Sequence, residues 1–220
     1  MMLNFFRLLG LITGYPFQFV FFKRRTFYED KKNTHLFRGG KLIISNHFSI
    51  VDYILEAFIV FPRRLNPITA EFAYENKFFN WGMKYFGCIK ADRITRSMKF
   101  MDQAAEVIKK GQLVLIFPEA RNTPDGNIHE FKHSYLVIAH RAKAPIIPMV
   151  TDGEYGIKKR ASVIIGKEID VSRFFDPDKR TPSREELEKA NDYVFGKVLE
   201  LREELERRKN SKKELQNDNN

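Results

Sequence analysis

The sequence predicts an α/β domain in which helices flank a central mixed, mostly parallel sheet, entered through an N-terminal helical segment that docks on a membrane. Three observations lead there. From residue 41 onward, short runs rich in β-branched residues alternate with amphipathic stretches, the pattern of strands separated by helices. A 43% hydrophobic share over 220 residues builds one buried core and excludes a disordered chain. Seven of the 21 phenylalanines fall within the first 28 residues, which sets the N-terminus apart from the domain behind it.

Residues 3–22 form the N-terminal apolar run, roughly 30 Å long if wholly helical. Arg7 and Gln18 interrupt it, and Gly14 with Pro16 near the middle breaks a helix, since proline removes a backbone donor. Two short helical pieces lying in the membrane interface fit this better than one span. The basic cluster Lys23, Arg24 and Arg25 follows at once and keeps the domain on the cytoplasmic side. No small-residue cleavage site follows the apolar run, which argues against a signal peptide. The predicted organisation is a membrane-associating segment (1–28), an α/β domain (29–208) and a disordered polar tail (209–220).

Within the domain, strands are expected at 41–45, 66–70, 113–117, 146–150 and 161–165, and helices at 51–60, 77–86, 97–110, 132–142 and 184–208. The last helix carries the clearest pattern: Leu187, Ala190, Val194, Val198, Leu201 and Leu205 recur at spacings of three and four, behind a capping box of Ser183 and Glu186.

A formal net charge of +10 directs attention to anionic partners: nucleic acid, a membrane surface or a phosphorylated substrate. Basic and acidic residues are intermixed and no nucleic-acid-binding motif is present, so nucleic acid is not an expected partner. The lone Cys88 allows no internal disulfide, in keeping with a cytosol-facing protein.

Four polar clusters sit where strands end. In the first, Ser45-Asn46-His47-Phe48-Ser49-Ile50-Val51-Asp52, a continuous helix would separate His47 from Asp52 by about 140° at about 100° per residue. The two meet only across a strand-to-helix turn, where Asp52 orients His47 as a general base. A plain capping box of Ser49 and Asp52 explains the same residues without chemistry. The second cluster runs from Gly87 to Arg93, with Lys90 and Arg93 suited to a phosphate. The third is Phe117-Pro118-Glu119-Ala120-Arg121-Asn122-Thr123, and the fourth, Ala144 to Val150, frames an apolar strand with Pro145 and Pro148.

Taken in order, these clusters resemble the four blocks of the glycerolipid acyltransferase family, whose best-known members are the lysophosphatidic acid acyltransferases. The N-H-x-S-x-x-D block matches Asn46, His47, Ser49 and Asp52, and the G-x-x-x-x-x-R block matches Gly87 and Arg93. The F-P-E-G-(S/T)-R block matches Phe117, Pro118 and Glu119, with Ala120 in place of glycine, Arg121 one position early and Asn122 where the arginine is usual. Pro145 to Pro148 match P-I-(I/V)-P, and Phe131-Lys132 and Ala139 resemble F-K-x-G-x-x-x-x-A, with Ser134 in place of glycine.

The resemblance implies transfer of an acyl group from an acyl thioester (acyl-CoA or acyl carrier protein) to the free hydroxyl of 1-acylglycerol-3-phosphate, giving phosphatidic acid. Another lysolipid or glycerol-3-phosphate is the alternative acceptor. His47 and Asp52 would be catalytic, and Arg93, helped by Lys90 and Arg121, would hold the acceptor's phosphate. Glu119 would contact its glycerol part, and Asn122 would stand in the third block's arginine position. No cofactor or metal is implied, and the absence of a G-x-S-x-G elbow agrees with direct transfer.

Two other readings compete. His129-Glu130-Phe131-Lys132-His133 matches the H-E-x-x-H zinc signature, but the turn-forming stretch 123–127 just upstream leaves His129 outside an established helix. A non-catalytic membrane-surface protein is the other.

Overall fold

The computed structural model describes residues 9–10, 12–30, 36–49, 51–70, 86–91, 98–123, 125–156 and 158–217. Seven strands among them form one sheet: β1 (Arg25–Tyr28), β2 (Lys41–Ser45), β3 (Leu65–Ala70), β4 (Ile89–Ala91), β5 (Leu113–Ile116), β6 (Ile146–Thr151) and β7 (Ser162–Ile165). Their order is β1-β7-β6-β2-β5-β3-β4. Every neighbouring pair is parallel except β6 with β7, so the sheet is mixed and mostly parallel, as the sequence predicts.

Strand β2 lies at the centre, and its run Leu42-Ile43-Ile44 is buried on both faces, the signature of a parallel sheet covered on each side. Alternation divides the run. Leu42 and Ile44 face a layer made by α3 (Lys99–Lys109), α4 (Ser134–Ala142) and α5 (Arg184–Asn217), while Ile43 packs with α2 (Asp52–Val60) and Phe22. Full burial of each such Leu or Ile contributes about 1.5–3 kcal/mol.

The five expected strands are found within one residue at either end, and three helices within two residues. The helix expected at 77–86 lies outside the described residues apart from Phe86. Strand β1 is a correction, because the sequence places residues 25–28 in the membrane segment and the structure places them in the sheet. Thr26, Phe27 and Tyr28 are good strand formers, and Arg25 is no obstacle at a sheet edge, where charge blocks unwanted pairing. The sheet therefore begins at Arg25.

The polar tail is a second correction, since α5 runs through 209–217 to Asn217. Ion pairs between Arg208 and Glu204 and between Arg202 and Glu206 support the helix. Buried Lys209 anchors it, its Nζ lying 2.9 Å from Asp152. At the other end the capping box forms: Ser183 N–H donates to Glu186 at 2.6 Å and Glu186 N–H to the Ser183 hydroxyl at 3.3 Å. These bonds hold the Glu186 carboxyl down to about 2.

Ahead of the sheet, helical backbone at 12–14 and a short α1 (Phe17–Phe21) are separated by a turn at Tyr15-Pro16, where the sequence breaks the helix. No helix among the described residues is long and apolar enough to cross a membrane. Tyr15 packs edge-on against Phe58 of α2, whereas Leu9, Ile12, Phe19, Val20 and Phe21 are exposed.

Candidate active site

Because β2, β5 and β6 are parallel neighbours, the loops that follow them emerge together at one edge of the sheet. These loops carry residues 46–49, 117–123 and 152–156. The buried Asn46 amide locks two of the strand ends: its Nδ2 donates to the Thr151 carbonyl at 3.0 Å and its Oδ1 accepts the Thr151 N–H at 2.9 Å.

His47 and Asp52 meet across the turn between β2 and α2. His47 Nδ1 lies 2.9 Å from Asp52 Oδ2, which also accepts the Phe48 and Ser49 N–H groups at 2.8 Å each. Asp52 is 0% exposed, and its other oxygen accepts the Tyr155 hydroxyl. One carboxylate thus holds the turn and orients the histidine, and only the Asp52 half of the expected capping box forms, the N-cap of α2 being Val51. The Ser49 hydroxyl accepts from Val51 N–H at 3.5 Å, so its half of the box is displaced by one residue.

Donor directions then fix the tautomer. A carboxylate only accepts, so His47 presents Nδ1–H to it and the lone pair of the neutral ring sits on Nε2. The ring is held flat on Phe117, with centroids 4.0 Å apart and planes 13° off parallel, while its side chain stays 20% exposed. A base whose orientation is fixed but whose free nitrogen is reachable is what proton abstraction from an entering hydroxyl requires.

Glu119 binds the third cluster to the first. It is 3% exposed; Oε1 accepts His47 N–H at 3.2 Å, and Oε2 accepts the Thr123 hydroxyl at 3.0 Å and His129 N–H at 2.9 Å. Thr123 N–H returns a bond to the His47 carbonyl at 2.8 Å. Both oxygens are engaged with the protein, where they position His47.

Next to it, Ala120 has φ +56°, the left-handed region where a β-carbon costs about 1–2 kcal/mol. Here the family's usual glycine has a conformational reason. Ala120→Gly is expected to stabilise the fold by about 0.5–1 kcal/mol, net of the entropy glycine adds to the unfolded chain, with little change in turnover. Thermal unfolding of the pair checks this.

One turn beyond Asp52 on α2, Glu56 is 1% exposed and neither carboxyl oxygen has a hydrogen-bond partner among the described residues. Burial pushes this carboxyl well above the ordinary range; the nearby Ser45 hydroxyl, which completes no hydrogen bond with it, offsets only part, and the charge of Asp52 adds to the rise. The folded state therefore binds a proton that the unfolded chain has released above about pH 4.3. Stability associated with Glu56 is fully present below that value and is lost as pH rises toward the folded-state pKa. Glu56→Gln cannot titrate, so urea denaturation from pH 5 to 8 is expected to show a flatter stability profile. Within that window the slopes differ by up to about 1.4 kcal/mol per pH unit.

The remaining predicted residues are less gathered. Arg93 lies outside the described residues. Lys90 is exposed on the edge strand β4, and Arg121 and Asn122 are exposed in the loop after β5. His129 precedes α4 in irregular chain, its Nε2 2.9 Å from Asp125, while His133 is the N-cap of α4. The two histidines share no helical face, and no cluster of three metal-ligating side chains occurs among the described residues. A groove of about 410 Å³ lined by Asp102, Arg141, Lys143 and Arg180 runs along α3 beside the C-terminal end of α4 and contains none of the predicted site residues. Sequence reasoning missed Phe117 as the platform for His47, Thr123 as a tie between loops, and Tyr155. Only their positions just after strand ends could have signalled them.

Fold and site together define an α/β protein with a buried Asp and an oriented His at the carboxyl edge of a mostly parallel sheet. A family model described as Acyltransferase matches residues 20–152, and the chain belongs to that family. It is similar to the 1-acyl-sn-glycerol-3-phosphate acyltransferase of Cocos nucifera, 29% identical over 159 residues, which is 70% of this chain and 50% of that protein. The enzyme of the same name from Bacillus subtilis is 23% identical over 76% of this chain and 84% of its own. In fold, the chain resembles the crystal structure of the 1-acyl-sn-glycerophosphate (LPA) acyltransferase PlsC from Thermotoga maritima. The TM-score is 0.62 at 20% identity, covering 90% of this chain and 79% of that one. The chain spans half the length of the Cocos nucifera protein.

Proposed function

We propose that the protein transfers a fatty acyl group from an acyl thioester to the free hydroxyl of 1-acylglycerol-3-phosphate, forming phosphatidic acid at a membrane surface. The observation that carries this reading is the fully buried Asp52 orienting His47, whose Nε2 makes no hydrogen bond among the described residues. His47 Nε2 takes the proton of the acceptor hydroxyl as its oxygen attacks the thioester carbonyl. The tetrahedral intermediate collapses, the carbon–sulfur bond breaks, and the departing thiolate recovers the proton from the imidazolium. No covalent acyl-enzyme is required, and Asp52 stabilises the imidazolium that forms on His47.

In this reading Arg93, Lys90 and Arg121 neutralise the acceptor's phosphate, with Asn122 beside them as a polar neighbour. The exposed Leu9, Ile12, Phe19, Val20 and Phe21, followed by Lys23 and Arg24, dock on the cytoplasmic face of an anionic membrane. The co-substrate is acyl-CoA or acyl carrier protein, and no other cofactor enters the scheme.

The test is phosphatidic acid formation by the purified chain in mixed micelles, with lysophosphatidic acid as acceptor and each of the two donors in turn. Product with lysophosphatidic acid supports the assignment. Turnover only with glycerol-3-phosphate or another lysolipid moves the acceptor, and no acyl transfer to any of them rejects the reading.

A further inference from the structure

We propose that Tyr155 is a positioning residue for this reaction, its hydroxyl fixing Asp52 and, through it, the plane and tautomer of His47. The proposal rests on the reading of His47 as general base. Tyr155 belongs to none of the four sequence blocks and lies 103 residues from Asp52, yet its hydroxyl donates to Asp52 Oδ1, the oxygen that His47 does not use. The hydroxyl's own orientation is set from behind. Thr151 Oγ1 is 3.2 Å from it and accepts Gly153 N–H at 3.4 Å. Tyr155 has one proton, which goes to the carboxylate, so it accepts from Thr151; the donors of Gly153, Thr151 and Tyr155 all point toward Asp52, which His47 Nδ1–H meets from the other side.

The loop is built to bring the ring there. Gly153 has φ +70°, and a β-carbon on it would lie 2.7 Å from Phe48 Cγ, so only glycine lets the loop close over the turn that carries His47. On its other side the Tyr155 ring packs edge-on against Phe22, with centroids 5.7 Å apart, and Gly156 N–H donates to the Phe21 carbonyl at 3.2 Å. The strap that holds Asp52 is thereby tied to the end of α1. The ionisable groups facing the hydroxyl are Asp52 and Glu56, both from α2, and they join burial in keeping the phenol protonated, hence a donor, at every working pH.

Tyr155→Phe removes the hydroxyl and keeps the ring. A hydrogen bond to a charged group accounts for a fall in kcat of roughly tenfold or more, with the acceptor KM little changed. Losing one donor also concentrates the carboxylate's charge on the oxygen facing the imidazolium, so the acid limb of the kcat/KM profile moves to higher pH. Placing 3-fluorotyrosine at 155 strengthens the donor at nearly constant size and moves that limb to lower pH. A purely structural role for the ring would move neither limb.

His47→Ala is assayed alongside. If it is inactive while Tyr155→Phe keeps wild-type kcat and an unmoved acid limb, the proposal is overturned. If His47→Ala is active, the base assignment fails instead. Should Tyr155→Phe not fold, the fluorotyrosine protein decides, an unmoved limb counting against the proposal.

Discussion

His47→Ala is expected to lower kcat/KM by about 10²–10⁴-fold, the usual worth of a positioned general base, with no loss of fold. The side chain is partly exposed, and it is the backbone of His47 that carries the ties to Glu119 and Thr123, so the loop survives the truncation. Asp52→Asn separates charge from geometry. Two backbone N–H groups, from Phe48 and Ser49, converge on Oδ2, so the amide oxygen must occupy that place and the NH₂ must turn toward Tyr155, whose hydroxyl can accept. The Nδ1–H tautomer of His47 is preserved and only stabilisation of the imidazolium is lost. A fall of about 10²-fold is expected, smaller than the roughly 10⁴-fold seen where the same change in a catalytic triad also reverses the tautomer. Steady-state kinetics on both variants, with circular dichroism to verify folding, checks the pair. A near-wild-type rate for His47→Ala would remove the proposed base.

Much of this arrangement was legible in the sequence because it is local. The run 41–45 has to be a strand buried on both faces, and His47 and Asp52 can meet only across a turn, which is how they meet. What the sequence hid is of two kinds. Edge elements such as β1 are held by one neighbour, and their charged residues imitate a linker or a membrane flank, so Arg25 reads as part of that flank although it pairs with Ser162 in the sheet. Long-range ties leave no periodic signal. Tyr155 reaches Asp52 and Thr123 reaches His47 because parallel strands bring distant loops to one edge, and only the pairing of β2 with β6 on one side and with β5 on the other reveals those adjacencies. The polar 209–217 stretch illustrates a further limit: composition suggested disorder, whereas Lys209 supplies a buried anchor at Asp152 from which the helix continues.

Glu119 offers the sharpest test between binding substrate and positioning the base. Each of its oxygens already accepts a backbone N–H, from His47 at 3.2 Å and from His129 at 2.9 Å. Glu119→Gln therefore cannot be benign, since one oxygen becomes an NH₂ that opposes one of these donors. Oε2 accepts two groups, so the amide oxygen is expected to stay with Thr123 and His129, leaving the NH₂ against His47 N–H. An unsatisfied buried donor costs about 1–3 kcal/mol, equivalent to a fall in melting temperature of roughly 2–12 °C for a chain of this size. Because the displaced group is the backbone of the base itself, kcat should fall as well. Glu119→Ala orphans the His47 and His129 N–H groups, while the Thr123 hydroxyl still has the His47 carbonyl at 3.1 Å, and is expected to destabilise by roughly 2–5 kcal/mol, toward the extreme of single substitutions. A residue that only held the acceptor's glycerol would behave in the opposite way, raising the acceptor KM while stability and kcat stayed unchanged. Thermal melts combined with separate kcat and KM values distinguish the two, and an unshifted melting temperature in both variants would return Glu119 to the substrate.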